Sequence, residues 1–207
     1  MIGFYNYSVI VTYIGVALSV SGMALASTGQ FKFAILCLAL AGASDTFDGK
    51  IARAMKNRTK EMEIFGIQID SLCDMVCFGV TPVIISYQMG LNSVWGIAIE
   101  ILFVLCGVIR LAYFNVLEEL KHTNPETDQA KGYRGLPITT ITIIYPIVYL
   151  FHPLVSHETF LLFLAIMHIV VAFLYVLDFK LKKPGNSVIA AMMVLVTAVM
   201  VCILFVE

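Results

Sequence analysis

Four of the six aspartates in this 207-residue chain, Asp45, Asp48, Asp70 and Asp74, fall inside strongly apolar stretches. A charged side chain at mid-membrane depth costs roughly 2.5–3.5 kcal/mol on insertion scales, so four together call for a reason. Asp45 and Asp48 stand at i, i+3, and Asp70 and Asp74 at i, i+4, so in helices each pair shares one face. Four facing carboxylates repel unless cations stay between them, and Lys50 and Arg53 cannot neutralise all four. Clustered carboxylates suit hard divalent ions, Mg²⁺ or Mn²⁺. Two such ions held close together clamp the attacking and leaving oxygens of a phosphoryl displacement. Interhelical salt bridges are the alternative account of the cluster. Gly49 and Gly66 flank the two pairs, Ala52 and Arg53 follow one turn after Gly49, and small residues of this kind let a ligand approach a helix backbone.

The elements that must hold these residues are membrane helices. The chain is 60% hydrophobic and 13% charged, with mean hydropathy +0.92, whereas a soluble domain carries about 25% charged residues. A helix needs about 20 apolar residues to cross the hydrocarbon. Segments of that kind fall at 7–27, 31–53, 65–89, 93–116, 136–152, 158–177 and 186–206. The expected fold is therefore all-α and integral to the membrane, a polytopic bundle of six to seven transmembrane helices forming one domain over 1–207. The fifth segment is short and bracketed by Pro137 and Pro153, which predicts a tilted, broken or partly inserted element. Polar stretches at 54–63 and 117–135 read as connections.

Positive charge concentrates in cytoplasmic loops. With seven spans, every Lys and Arg except Lys32 falls on one side, so that side and both aspartate pairs are expected to face the cytoplasm. No Lys or Arg precedes Lys32, so a cleavable leader is not expected. A net charge of −1 offers no basic field for nucleic acid. The five cysteines include no CxxC, and Cys73 and Cys77 read as ordinary buried residues. His122, His152, His157 and His168 have no ligand spacing, and Trp95 fits an interfacial position. Glu100 lies well inside the fourth segment, where a buried pair or a helix contact accounts for it better than catalysis.

The run Asp45-Thr-Phe-Asp48-Gly49-Lys-Ile-Ala52-Arg53, followed by Gly66-Ile-Gln-Ile-Asp70-Ser-Leu-Cys-Asp74, resembles the signature of the CDP-alcohol phosphotransferases, DxxDGxxAR then GxxxDxxxD. Every fixed position is filled. The spacer of twelve residues between Arg53 and Gly66 exceeds the family's usual length, which predicts a longer cytoplasmic loop within 54–65. Asp70-Ser-Leu-Cys-Asp74-Met-Val-Cys-Phe78-Gly79-Val-Thr-Pro82 is similar to the stretch found in the serine branch, the CDP-diacylglycerol–serine O-phosphatidyltransferases. Arg110-Leu-Ala-Tyr-Phe-Asn115 resembles that branch's RLARFN, with Tyr113 in place of the second arginine, and Gly135-Leu136-Pro137 resembles its GLP segment. The similarity covers roughly 40–140.

The resemblance implies a CDP-lipid donor such as CDP-diacylglycerol, L-serine as acceptor and CMP as leaving group, among membrane lipids and commonly in a homodimer. It places divalent ions on Asp45, Asp48, Asp70 and Asp74, with Asp74 doubling as general base. The nucleotide pocket falls to Asp48, Gly49, Ala52, Arg53 and Gly66. Arg110, Asn115 and Arg134 fall to the acceptor, since a planar guanidinium suits a carboxylate; anchoring at lipid headgroups is the other account of the two arginines. Glycerol 3-phosphate or an inositol phosphate as acceptor would call for more basic residues around the pocket than this sequence offers. A divalent-cation transporter would place acidic residues through both leaflets, and only Glu100 lies further out.

Overall fold

A computed structural model describes residues 3–4, 7–54, 59–123, 133–181 and 185–205, without the side chains of 7–8, 50, 52–54, 121–123, 133–134, 181 and 186. The fold is a helical integral membrane bundle. Helix α1 spans Tyr7–Ser27, α2 Phe31–Ala54, α3 Lys60–Asp74, α4 Thr81–Gln88, α5 Val94–Thr123, α6 Ile141–Tyr149, α7 His157–Val176 and α8 Asn186–Phe205. Among the described residues, five runs are long and apolar enough to cross a membrane: Val9–Ser27, Lys60–Gln88, Val94–Leu120, His157–Val176 and Ser187–Phe205. Two further segments complete the seven expected from the sequence. These are α2, a 24-residue helix carrying Asp45 and Asp48, and the shorter apolar stretch Ile138–Leu154.

That shorter stretch is broken, as its prolines require. A 3₁₀ turn at Ile138–Thr140 leads into α6, which contains Pro146, and a second 3₁₀ turn follows at His152–Leu154. Proline removes a helical donor and its ring crowds the carbonyl one turn back.

Three boundaries differ from the sequence reading. Helix α3 begins at Lys60, because Thr59 caps it: its side chain accepts from the Met62 amide at 3.3 Å, and Glu61 and Glu63 sit in the positive first turn. Residues 60–65 of the long spacer therefore lengthen the helix rather than the loop. Helix α5 continues through the polar residues 117–123, which had read as a connection. The third segment is interrupted by a π-helical stretch at Met75–Val80. Pro82 has no amide proton for the Phe78 carbonyl, and the Thr81 hydroxyl instead bonds the Val76 carbonyl at 2.9 Å. Gly79 makes room for Met75: a Cβ there would overlap the Met75 thioether end.

Hydrocarbon chains solvate apolar side chains well, so membrane helices associate largely through close packing of small residues. Helix α1 lies against α2 in this way. A Cβ on Gly22 would come within 3.1 Å of the Ala34 carbonyl oxygen and of Cys37 Cβ, and the Ser44 hydroxyl bonds the Val11 carbonyl at 3.1 Å. Helix α5 packs on α7, and α6 packs on α2 and α8. Phe78, Ile85, Phe103, Ile141, Tyr145, Phe160 and Leu164 are fully buried between these helices.

At one end of the bundle, Tyr133–Arg134 pairs antiparallel with Lys180–Leu181, Arg134 lying opposite Lys180. The connections before α6 and before α8 are thus on the same side of the molecule, as the charge pattern requires.

Candidate active site

Helices α2 and α3 bring the carboxylates together. One oxygen each from Asp45, Asp70 and Asp74 lies within 4.8 Å of the others, and all three residues are partly buried. Oxygens opposite each other across a hard divalent ion stand about 4–5 Å apart. A set of carboxylates alone at this separation fits Mg²⁺ or Mn²⁺ better than a soft metal. Asp48 stands beside this triplet and is 5% exposed. Its Oδ2 accepts a hydrogen bond from the Thr12 hydroxyl of α1 at 2.8 Å. Thr12, Gly15, Asp45, Asp48, Asp74 and Cys77 line one small cavity there. Cys73 and Cys77 are free buried thiols, as expected.

Ser71, between the two α3 aspartates, donates to Asn115 Oδ1 at 2.6 Å, and the Asn115 amide donates to Gln68 at 3.4 Å. Asn115 therefore ties α5 to the face of α3 that adjoins the carboxylates. Arg110 is 5% exposed, so it is not a headgroup anchor. Its Nε donates to the Leu136 carbonyl at 2.9 Å. That carbonyl belongs to a short segment held by several bonds. Gly135 has φ +72°, a left-handed conformation that favours glycine, and its amide bonds the Phe179 carbonyl. The Tyr175 hydroxyl bonds the Ile138 carbonyl at 3.0 Å. Tyr175 also lies within electrostatic reach of both Arg110 and Asp74, which puts the arginine on the carboxylate side of the bundle.

The remaining predicted residues divide by what is described. Gly49 and Gly66 take their places in α2 and α3. The side chains of Ala52, Arg53 and Arg134 lie outside the described residues, so their parts in a nucleotide or acceptor pocket rest on the sequence. Glu100 is 3% exposed, and its Oε1 is buried without a hydrogen-bond partner among the described residues. It lies ten residues before Arg110, about 15 Å along α5, away from the carboxylate cluster. Thr12, Ser71 and Tyr175 are the contributors that sequence reading gave no role. Ser71 sits inside the motif, and Thr12 stands one turn before Gly15, but nothing in one sequence says which hydroxyl crosses to another helix.

The sequence model of the CDP-alcohol phosphatidyltransferase family matches residues 5–177. The chain belongs to that family. The match takes in the seven-residue spread from Thr12 to Leu18 as well as the motif, so this CDP-alcohol phosphatidyltransferase chain uses α1 through α7 as its family unit. Among curated relatives, the CDP-diacylglycerol–serine O-phosphatidyltransferase of Saccharomyces cerevisiae is 38% identical over 106 residues, 51% of this chain and 37% of the yeast protein. A protein of the same name from Helicobacter pylori is 32% identical over 142 residues, 68% of this chain and 55% of the relative. The archaetidylserine synthase of Methanothermobacter thermautotrophicus is 34% identical over 127 residues, 61% of this chain and 50% of the relative. The chain thus spans about half the length, or less, of the curated relatives it matches.

Proposed function

We propose that this chain transfers the phosphatidyl group of a CDP-lipid, such as CDP-diacylglycerol, to the hydroxyl of L-serine, forming phosphatidylserine and releasing CMP. The observation that carries the reading is the convergence of Asp45, Asp70 and Asp74 within 4.8 Å, beside Asp48, at one end of a membrane bundle. Serine is favoured over other alcohols by the names of the relatives above and by Arg110, buried on the carboxylate side.

In this reading Asp45, Asp48, Asp70 and Asp74 hold two divalent ions, Mg²⁺ or Mn²⁺. When bound, these supply charge neutralisation for the pyrophosphate and the departing phosphate. Gly49, Ala52, Arg53 and Gly66, with Asp48, line the nucleotide pocket. Arg110, with Asn115 and Arg134, receives the serine carboxylate. Asp74 takes the proton of the serine hydroxyl as its oxygen bonds to the lipid-linked phosphorus, and the bond to the CMP oxygen breaks. Among the described residues, Ser71 beside the aspartates donates to Asn115, and Cys73 and Cys77 are buried free thiols; none of the three is paired with a base, so one direct displacement accounts for the reaction. A donor made chiral at that phosphorus should give inverted product, and retention would require a covalent intermediate.

The same proposal places the site on the cytoplasmic side of the cell membrane and the chain in a homodimer. The test is purified protein with CDP-lipid and a panel of acceptors, following CMP release. Serine should elicit release. Release with glycerol 3-phosphate or an inositol phosphate, and none with serine, would move the chain to another branch of its family. A protein that conducts Mn²⁺ across vesicles and releases no CMP would be a transporter instead.

A further inference from the structure

Among the described residues, α1 contributes the Thr12 side chain to the site, and the motif places nothing there. We propose that Thr12 is a positioning residue for Asp48: its hydroxyl holds Oδ2 and leaves the other carboxylate oxygen to the metal and nucleotide site. This rests on the metal-site reading above.

Helix geometry makes such a device necessary. Residues at i and i+3 are rotated by about 60° from each other and separated by about 4.5 Å along the axis. Asp45 and Asp48 therefore cannot both point straight at α3. Asp45 meets Asp70 and Asp74, whereas Asp48 is turned toward α1, where Thr12 stands. A carboxylate with 5% exposure needs hydrogen-bond donors to offset its lost hydration. Asp48 has the Gly49 backbone amide of its own helix and the Thr12 hydroxyl, and the latter is the donor that comes from another helix. Threonine is a suitable donor because β-branching restricts its χ1 in a helix. Ser21, Thr46 and Thr197 bond the carbonyl one turn back in their own helices, whereas the Thr12 hydroxyl reaches a carboxylate on the next. The α1–α2 interface holds it there. Gly22 lets the two backbones approach, a Cβ there coming within 3.1 Å of the Ala34 carbonyl oxygen. Gly15, one turn further, leaves open the cavity that Thr12 and Asp48 both line.

The test measures Mn²⁺ binding to purified protein without substrates, from the spin resonance signal of the free ion. Thr12→Val keeps the branched shape and removes the donor. It should weaken Mn²⁺ binding about tenfold or more, the usual consequence of losing a hydrogen bond to a charged group. Thr12→Ser restores the donor and should stay near the wild type. Turnover by Thr12→Val should recover substantially at saturating Mn²⁺. Ser44→Ala breaks the other polar bridge between the same helices and should leave Mn²⁺ affinity unchanged. If Thr12→Val does not fold, Thr12→Ala repeats the comparison with less bulk. Wild-type affinity in Thr12→Val or Thr12→Ala overturns the proposal, as does equal weakening in Thr12→Ser or Ser44→Ala, which would show a packing effect alone. A wild type that binds no Mn²⁺ overturns the metal-site reading itself, an outcome distinct from any difference among the variants.

Discussion

Asp45 and Asp70 come from different helices and present oxygens to the same point, so each tests the shared site independently. Asp45→Asn and Asp70→Asn each keep the shape and remove one anionic ligand. Either should reduce CMP release to the background seen with a divalent chelator, and the chelated wild type should recover on adding Mg²⁺ or Mn²⁺. Full turnover in a metal-free preparation would discard the two-metal reading. Arg110 tests the acceptor. Loss of a hydrogen bond to a charged group costs about 1.5–3 kcal/mol, and binding lost equally from ground and transition states appears in KM. Arg110→Ala should therefore raise the serine KM by roughly tenfold to a hundredfold, with a much smaller change for CDP-lipid. Arg110→Lys should rescue only in part, because a point charge does not reproduce the planar fork. Since Arg110 also holds the Leu136 carbonyl, an equal rise in both KM values would show that it acts by fixing the 135–137 segment.

Between elements, the contact most sensitive to volume is the one between α2 and α6. A Cβ on Gly42 would stand 2.5–2.8 Å from three side-chain atoms of Thr142, closer than real contacts allow. Thr142 cannot swing clear easily, because its hydroxyl bonds the Thr139 carbonyl at 2.8 Å. Gly42 is one residue short of a full turn before Asp45, so displacing α2 there moves one of the three clustered carboxylates. Gly42→Ala should lower unfolding stability in detergent by about 1–3 kcal/mol and reduce kcat/KM as well. Adding Thr142→Gly, which empties the space, should recover both, and a Gly42→Ala protein with wild-type stability would show that α6 yields freely.

For the whole molecule, the pairing of Arg134 with Lys180 puts two basic connections at one end, while Trp95, 81% exposed, begins α5 at the other. Lys180→Cys should react with a membrane-impermeant maleimide in inside-out vesicles, and Trp95→Cys only in right-side-out vesicles. The reverse pattern would place the carboxylate site outside the cytoplasm. The exposed faces of α5, α7 and α8 are apolar along their length, including Ile101, Leu105, Ile166, Val170, Val194 and Phe205, as a surface solvated by lipid requires.

Hydropathy and residue spacing were enough to reveal a polytopic helical membrane protein, seven apolar segments and the four aspartates. Each of those signals is local, since a span needs only its own apolar length and a DxxD or DxxxD face needs only helical periodicity. The break at Ile138–Leu154 was legible for the same reason, because proline acts on its own helix. Local capping also lay within reach at Thr59, although the polar spacer masked it. Tertiary structure alone decided the rest. It joined Asp45 to Asp70 and Asp74, turned Asp48 to Thr12, and sent Arg110 to the Leu136 carbonyl and Asn115 to Ser71. These partners lie 25 to 44 residues apart in the chain. Which of them meet depends on how closely small residues let two helices approach and how each helix is rotated, and a single sequence carries no record of either.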